Sequence, residues 1–181
     1  AGFWTISWLW GFVTMLPHAL GAASRSAPTL RGVGAAVAGA AYGLGLVVEV
    51  AADVAKYQFK ADPANRGKFC DAGLWKVSQH PNYFGNLCLW SGVWLLNAPA
   101  LASQPVALAA STLSPLFLTA LFVGQSTGAV TNAVELADAK YGSDPSYQAY
   151  KRDTPLIVPR PLELVQALGS MLLPRRGSST P

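Results

Sequence analysis

Apolar residues gather in four long stretches, roughly from Phe3 to Ala22, Val33 to Val54, Asn82 to Leu101 and Pro105 to Asn132. A helix needs about 20 residues to cross a bilayer, and each stretch meets that length. Between the second and third, ADPANRGKFCDAGLWKVSQ mixes proline, glycine and charge without helical or strand periodicity and reads as a loop. Pro115 predicts a kink in the fourth stretch, where Gly124 and Gly128 are spaced as small residues at a helix contact. From Ala133 the chain turns polar, with a turn at Asp144 and Pro145. Leu162, Val165, Leu168 and Leu172 then recur at helical spacing, as in a helix lying on a membrane surface, and the residues up to Pro181 read as a disordered tail. The pattern predicts an all-α integral membrane bundle of about four transmembrane helices over residues 1–160, with the amphipathic segment and tail over 161–181.

Two of the stretches carry further detail. In the first, Trp4, Trp8 and Trp10 sit near one end as an interfacial aromatic belt would, and Pro17 and His18 lie near the other. His18 reads as an interfacial side chain rather than a ligand. In the second, Gly34, Ala38, Tyr42 and Gly45 form small faces that permit close helix packing.

Composition agrees with a membrane setting. Of 181 residues, 51% are hydrophobic and only 12% charged, where a soluble domain carries about a quarter. The opening AGFWTISWLWGFV has no basic leader and no following cleavage site, so it reads as the inside of a hydrophobic segment rather than a signal peptide. Cys70 lies in a polar loop and Cys88 in an apolar helix, without CxxC or histidine-rich spacing, so neither a structural disulfide nor a metal site is expected. The pI near 9.2 raises nucleic-acid binding, but the basic residues are spread over loops without aromatic interleaving, which sets that partner aside.

Counting Lys and Arg by side gives the topology. With four crossings, Arg25 and Arg31 fall on one side; all other basic residues, and every acidic one, fall on the side of the middle loop and the C-terminal region. That side is the cytoplasmic one, or its organellar equivalent.

The polar chemistry concentrates there. Glu49, Asp53, Lys56 and Lys60 align on one helical face, either a solvated helix end with Glu-to-Lys pairs or a functional face. In GLWKVSQHPNYFGN, Pro81 suits the first helical position and pushes His80 out of the α region, making His80 the expected N-cap. Free N–H groups and the positive helix end then suit a phosphate or carboxylate, and Gly85 lets a ligand approach the backbone. Tyr147, Tyr150, Lys151 and Arg152 read as a membrane-interface anchor.

Four ordered motifs, VVEVAADVAKYQFK, PANRGKFCDAGLWKVSQHPNYFGN, LSPLF and ADAKYGSDPSYQAYKRDTPLIVP, resemble the C-terminal domain of the steroid 5-alpha-reductase superfamily, in particular its DUF1295 branch, over residues 1–160. The resemblance implies a membrane reductase that uses NADPH from the cytoplasmic face to saturate an activated carbon–carbon double bond in a lipid such as a steroid. It implies a lipid-like substrate entering from the bilayer and a setting in the endoplasmic reticulum or in a plastid or mitochondrial membrane. The His-Pro-Asn-Tyr turn at His80, with Asn82, Tyr83 and Gly85, matches the family's pocket. Glu49, Asp53 and Lys60 match polar cofactor-side positions, and Tyr147, Tyr150 and Lys151 match the C-terminal signature; no residue is assigned as catalytic.

The chain also departs from that pattern. Gln79 and Asn86 stand where the family has Arg and Glu at the two ends of the turn motif, and Val134 and Glu135 stand where it commonly has Glu-Lys. The family's additional N-terminal helices are not in this chain. Two alternatives follow: a catalytically degenerate member serving as a structural or lipid-binding subunit of a membrane complex, with no cofactor, or, by the more distant likeness of the His-Pro turn to isoprenylcysteine carboxyl methyltransferases, an enzyme that binds S-adenosylmethionine.

Overall fold

The computed structural model describes residues 2–24 and 32–172, and among them every regular element is helical. Eight α-helices follow one another: α1 (Gly2–Ala23), α2 (Val33–Ala61), α3 (Pro81–Asn97), α4 (Pro105–Ser111), α5 (Leu113–Ser126), α6 (Ala133–Tyr141), α7 (Pro145–Asp153) and α8 (Pro161–Leu172). Arg25, Arg31, Arg175 and Arg176, which entered the charge count, and the predicted tail at 173–181 lie outside the described residues.

Of the four expected crossings, two helical stretches are long and apolar enough to span a membrane, Val33–Ala61 and Pro105–Ser126. The third, α3, has 17 residues and continues as a 3₁₀ turn over Ala98–Leu101. The fourth is divided: α4 stops at Ser111, and α5 begins after Thr112 and ends at Ser126, short of Asn132. Pro115 explains the division, because its ring opposes the carbonyl four residues back, at Ser111, and it has no N–H to offer. Gly124 and Gly128 have a different role from the expected helix contact. Gly128 adopts φ +83, and the Val130 N–H returns to the Gly124 carbonyl at 3.1 Å, so the pair turns the chain at the end of α5.

The chain divides into two compact units, the boundaries falling within α2 and α3. The first takes in Ala1–Val47 and Gly85–Thr131. Within it α1 packs on α4 and α5, with the buried Ser114 hydroxyl donating to the Thr14 carbonyl at 3.1 Å. Trp4 and Trp8 stand exposed as a belt would, whereas Trp10 meets Trp90 edge-on at 6.4 Å. The small face of α2 packs closely on α3. A Cβ on Gly92 would lie 2.6 Å from the Tyr42 nitrogen and 2.9 Å from the Ala38 carbonyl, and one on Gly45 would lie 2.5 Å from the Gly85 carbonyl.

The second unit takes in Val48–Phe84 and Asn132–Pro181. Its core is Val48, Ala52, Cys70, Leu74, Trp75 and Leu164. Leu74 is fully buried, which contributes about 1.5–3 kcal/mol. The Trp75 indole N–H donates to the Ala52 carbonyl at 2.8 Å, which ties the loop to α2. That loop is less irregular than its sequence suggests, because 3₁₀ turns form at Pro63–Asn65 and Gly73–Lys76. The first starts where the Asp62 carboxylate accepts the Ala64 N–H at 2.9 Å. The inward face of α8 consists of Leu164, Ala167 and Leu168, while Leu162 and Val165 point outward at 70% and 67% exposure. The predicted apolar row on α8 is thus shared between the core and the surface.

Candidate functional site

The candidate site lies in the second unit and is built on the turn Ser78-Gln79-His80-Pro81. Pro81 opens α3, and the His80 carbonyl accepts the Phe84 N–H at 3.2 Å, which makes His80 the N-cap expected from the sequence. The buried Ser78 hydroxyl accepts the His80 N–H at 3.1 Å and donates to the Ile157 carbonyl at 2.8 Å. Gln79 binds the same C-terminal segment through three hydrogen bonds. Its backbone N–H donates to Pro155 at 2.9 Å, and its side-chain amide donates to the carbonyls of Lys151 at 2.9 Å and Thr154 at 2.7 Å. The Tyr150 hydroxyl completes the seam by donating to the Trp75 carbonyl at 2.8 Å. Burial pushes that phenol well above its ordinary pKa.

Above the seam the His80 ring lies parallel to Tyr83, 4.8 Å between centroids and 5° apart in plane. Burial, reinforced by the positive charge of Lys56, lowers the His80 pKa from 6.5 to about 4. His80 is therefore neutral at ordinary pH, able to hydrogen-bond but not to act as a phosphate counter-ion. Two residues on, the side-chain carbonyl oxygen of Asn82 is buried and has no hydrogen-bond partner. A buried acceptor left unmet costs about 1–3 kcal/mol.

The cations of this unit lie in separate settings, with Lys56 the one whose charge acts on His80. Lys56 holds its ammonium 4.2 Å from the centre of the Trp75 ring, a cation–π contact. Lys60 donates to the Lys68 carbonyl at 2.8 Å and lies 3.3 Å from the Tyr141 hydroxyl. Burial raises the Tyr141 pKa, but hydrogen bonds and charge from Lys140 and Lys60 outweigh it and leave the phenol below its ordinary value. Lys151 is held by Asp138 at 2.7 and 2.8 Å, and the Tyr147 hydroxyl donates to the same carboxylate at 3.0 Å. These bonds keep Asp138 below the usual carboxylate range, while burial and the Asp138 hydrogen bond push Tyr147 up to about 12.

The sequence-derived residues thus fall into groups. His80, Asn82 and Tyr83 share the helix start; Tyr150 and Lys151 are joined to it through Trp75 and Gln79; Tyr147 and Lys151 meet at Asp138; and Lys60 stands with Tyr141. Phe69 links three of these groups, with ring centroids 5.2 Å from both Tyr147 and Tyr150 and 6.2 Å from Tyr141. On α2, Glu49 is half-buried and Asp53 exposed. Gly85 belongs to the other unit, where its carbonyl faces Gly45. Asp138, Ser78 and Trp75 went unmarked as site residues in the sequence. The only trace of Asp138 was its place in ADAKY, and no spacing announces that an aspartate will be met by a tyrosine nine residues on and a lysine thirteen on.

A family model described as "Protein of unknown function (DUF1295)" matches residues 1–154. The chain belongs to the DUF1295 family. The match takes in every candidate site residue from Glu49 to Lys151 and stops before α8. No curated protein and no solved structure matches the chain. At Gln79, where the resemblance leads one to expect arginine, stands an amide whose donors are both used within the chain.

Proposed function

We propose that the chain is a membrane reductase of the steroid 5-alpha-reductase type, which binds NADPH at the His80–Tyr83 helix start and saturates an activated carbon–carbon double bond of a lipid. The observation that carries this reading is the buried, unpartnered acceptor of Asn82. Such an atom calls for a donor from outside the chain, and a nicotinamide carboxamide or a ribose hydroxyl has one. NADPH, when bound, supplies the hydride. The chain's own residues bind and orient. Asn82 accepts a hydrogen bond, the flat His80–Tyr83 pair offers a neutral aromatic surface, and Lys56 supplies positive charge for phosphate groups. Trp75, Gln79 and Tyr150 hold that turn rigid, as a cofactor cradle requires.

A second reading has one observation in its favour. Gln79, Tyr150 and Lys151 are bound within the chain, as they would be in a member retained as a structural or lipid-binding subunit of a membrane complex. Calorimetric titration of the purified full chain with NADPH and, separately, with S-adenosylmethionine separates the readings. NADPH binding with indifference to S-adenosylmethionine is the expected result. The reverse preference would select a methyltransferase, and binding of neither, with co-purification in a larger complex, would select the subunit.

A further inference from the structure

Away from that turn, the second unit has an open groove of about 350 Å³ between the 3₁₀ turn Gly73–Lys76 and α8. Its polar lining is Lys76, Glu163, Gln166 and Ser170. Gly73 forms part of the groove lining with φ +56, a left-handed backbone that suits glycine. Lys76 is exposed. Arg160 takes one oxygen of the Glu163 carboxylate, Oε1, at 2.9 Å, and the other oxygen is left for a second donor. The groove therefore presents a cation and a carboxylate oxygen.

Helix geometry sets this lining beside an apolar strip. At 100° per residue, Glu163, Gln166 and Ser170 share one side of α8, Leu164, Ala167 and Leu168 face the core, and Leu162 and Val165 form an outward strip bordering Gln166. Val158, just before the helix, adds a further outward apolar side chain at 65% exposure. An exposed apolar strip next to a polar groove, on an amphipathic helix, is the arrangement of a helix lying at a lipid headgroup layer.

We propose that this groove binds the headgroup of a zwitterionic phospholipid with a primary ammonium, phosphatidylethanolamine in chemical class. Lys76 receives the phosphate, and Glu163, with the Gln166 and Ser170 side chains beside it, receives the ammonium. Leu162 and Val165 lie against the acyl region. The donor decides the class: with Arg160 on one oxygen of Glu163, the other oxygen is met by a cationic N–H donor, which an ethanolamine headgroup carries, a glycerol headgroup lacks and a choline headgroup replaces with N-methyl groups. This site is independent of the NADPH reading, because none of its residues belongs to the His80 turn.

Native mass spectrometry of the full chain, released from nanodiscs of equal parts phosphatidylethanolamine, phosphatidylcholine and phosphatidylglycerol, tests it. The wild type should retain phosphatidylethanolamine over the other two by roughly threefold to fivefold, the range of an exposed charge pair. Glu163→Gln should abolish that preference, whereas Lys76→Ala, which removes a phosphate contact common to the three lipids, should lower the retention of each. Ser170→Trp, which fills the groove from an exposed position without touching either charge, should also abolish the preference. Soluble glycerophosphoethanolamine, lacking acyl chains, should not displace the lipid. Equal retention of the three lipids by the wild type, a wild-type profile in folded variants, or displacement by the soluble headgroup would each overturn the proposal.

Discussion

The side-chain amide of Gln79 donates to the Thr154 carbonyl at 2.7 Å, and through that bond the start of α3 is fastened to the segment that follows α7. The same nitrogen reaches Lys151 at 2.9 Å. One neutral side chain thereby satisfies two carbonyls at the end of a helix, where carbonyls have no partner within the helix itself.

Removing that amide should be costly. Gln79→Ala deprives both carbonyls of their donor and should destabilise the chain by about 1–3 kcal/mol. Gln79→Glu, which at neutral pH sets an acceptor against two acceptors, should cost more. Thermal unfolding in detergent ranks the variants, and a Glu variant as stable as the wild type would remove the clamp from the account.

Acid should weaken the fold through His80. Its pKa is about 4 in the folded chain against an ordinary 6.5, so folding favours the neutral ring. The stability this contributes is fully present above pH 6.5 and drains away as the pH falls from there through about 4. Asp138, whose pKa is held below 3.8, loses its own contribution only at lower pH, which keeps the two effects apart. Melting temperature measured against pH should fall across the His80 window in the wild type and stay nearly flat there in His80→Gln.

Tyr150 and Lys151 are adjacent but should respond differently. Tyr150→Phe removes a half-buried hydroxyl and leaves the Trp75 carbonyl without that donor, at a cost of about 1–2 kcal/mol. Lys151→Ala breaks a partly exposed pair with Asp138, at a cost of about 0.2–1 kcal/mol that shrinks with added salt. Unfolding of both variants at low and high salt checks the contrast: only the lysine effect should depend on salt.

Much of this architecture was legible from the residues alone, because the signals were local. Pro81 marked the start of α3 and His80 its cap. Ala38, Tyr42 and Gly45 marked the face of α2 on which α3 packs. The division of the fourth apolar stretch was half-legible: Pro115 announced a disturbance, but the break lies three residues earlier, where its ring meets the preceding turn. The aromatic group around Phe69 and the Asp138 carboxylate that gathers Tyr147 and Lys151 could not be read, because they depend on contacts between separate segments that share no period. Gln79 was visible as a departure from the family pattern, yet only the paired carbonyls explain what an amide does there. On α8 a single apolar row was expected, where the helix has two, one buried and one exposed.

The most direct test of the central claim is the melting temperature of Asn82→Leu with and without NADPH. If the buried Asn82 oxygen waits for a donor from the cofactor, the leucine removes an unmet acceptor and should raise the melting temperature of the protein without cofactor. The same change should weaken NADPH binding by about tenfold and shrink the upward shift that NADPH produces in the wild type. A variant that melts lower than the wild type on its own, and is stabilised by NADPH as strongly, would contradict the account.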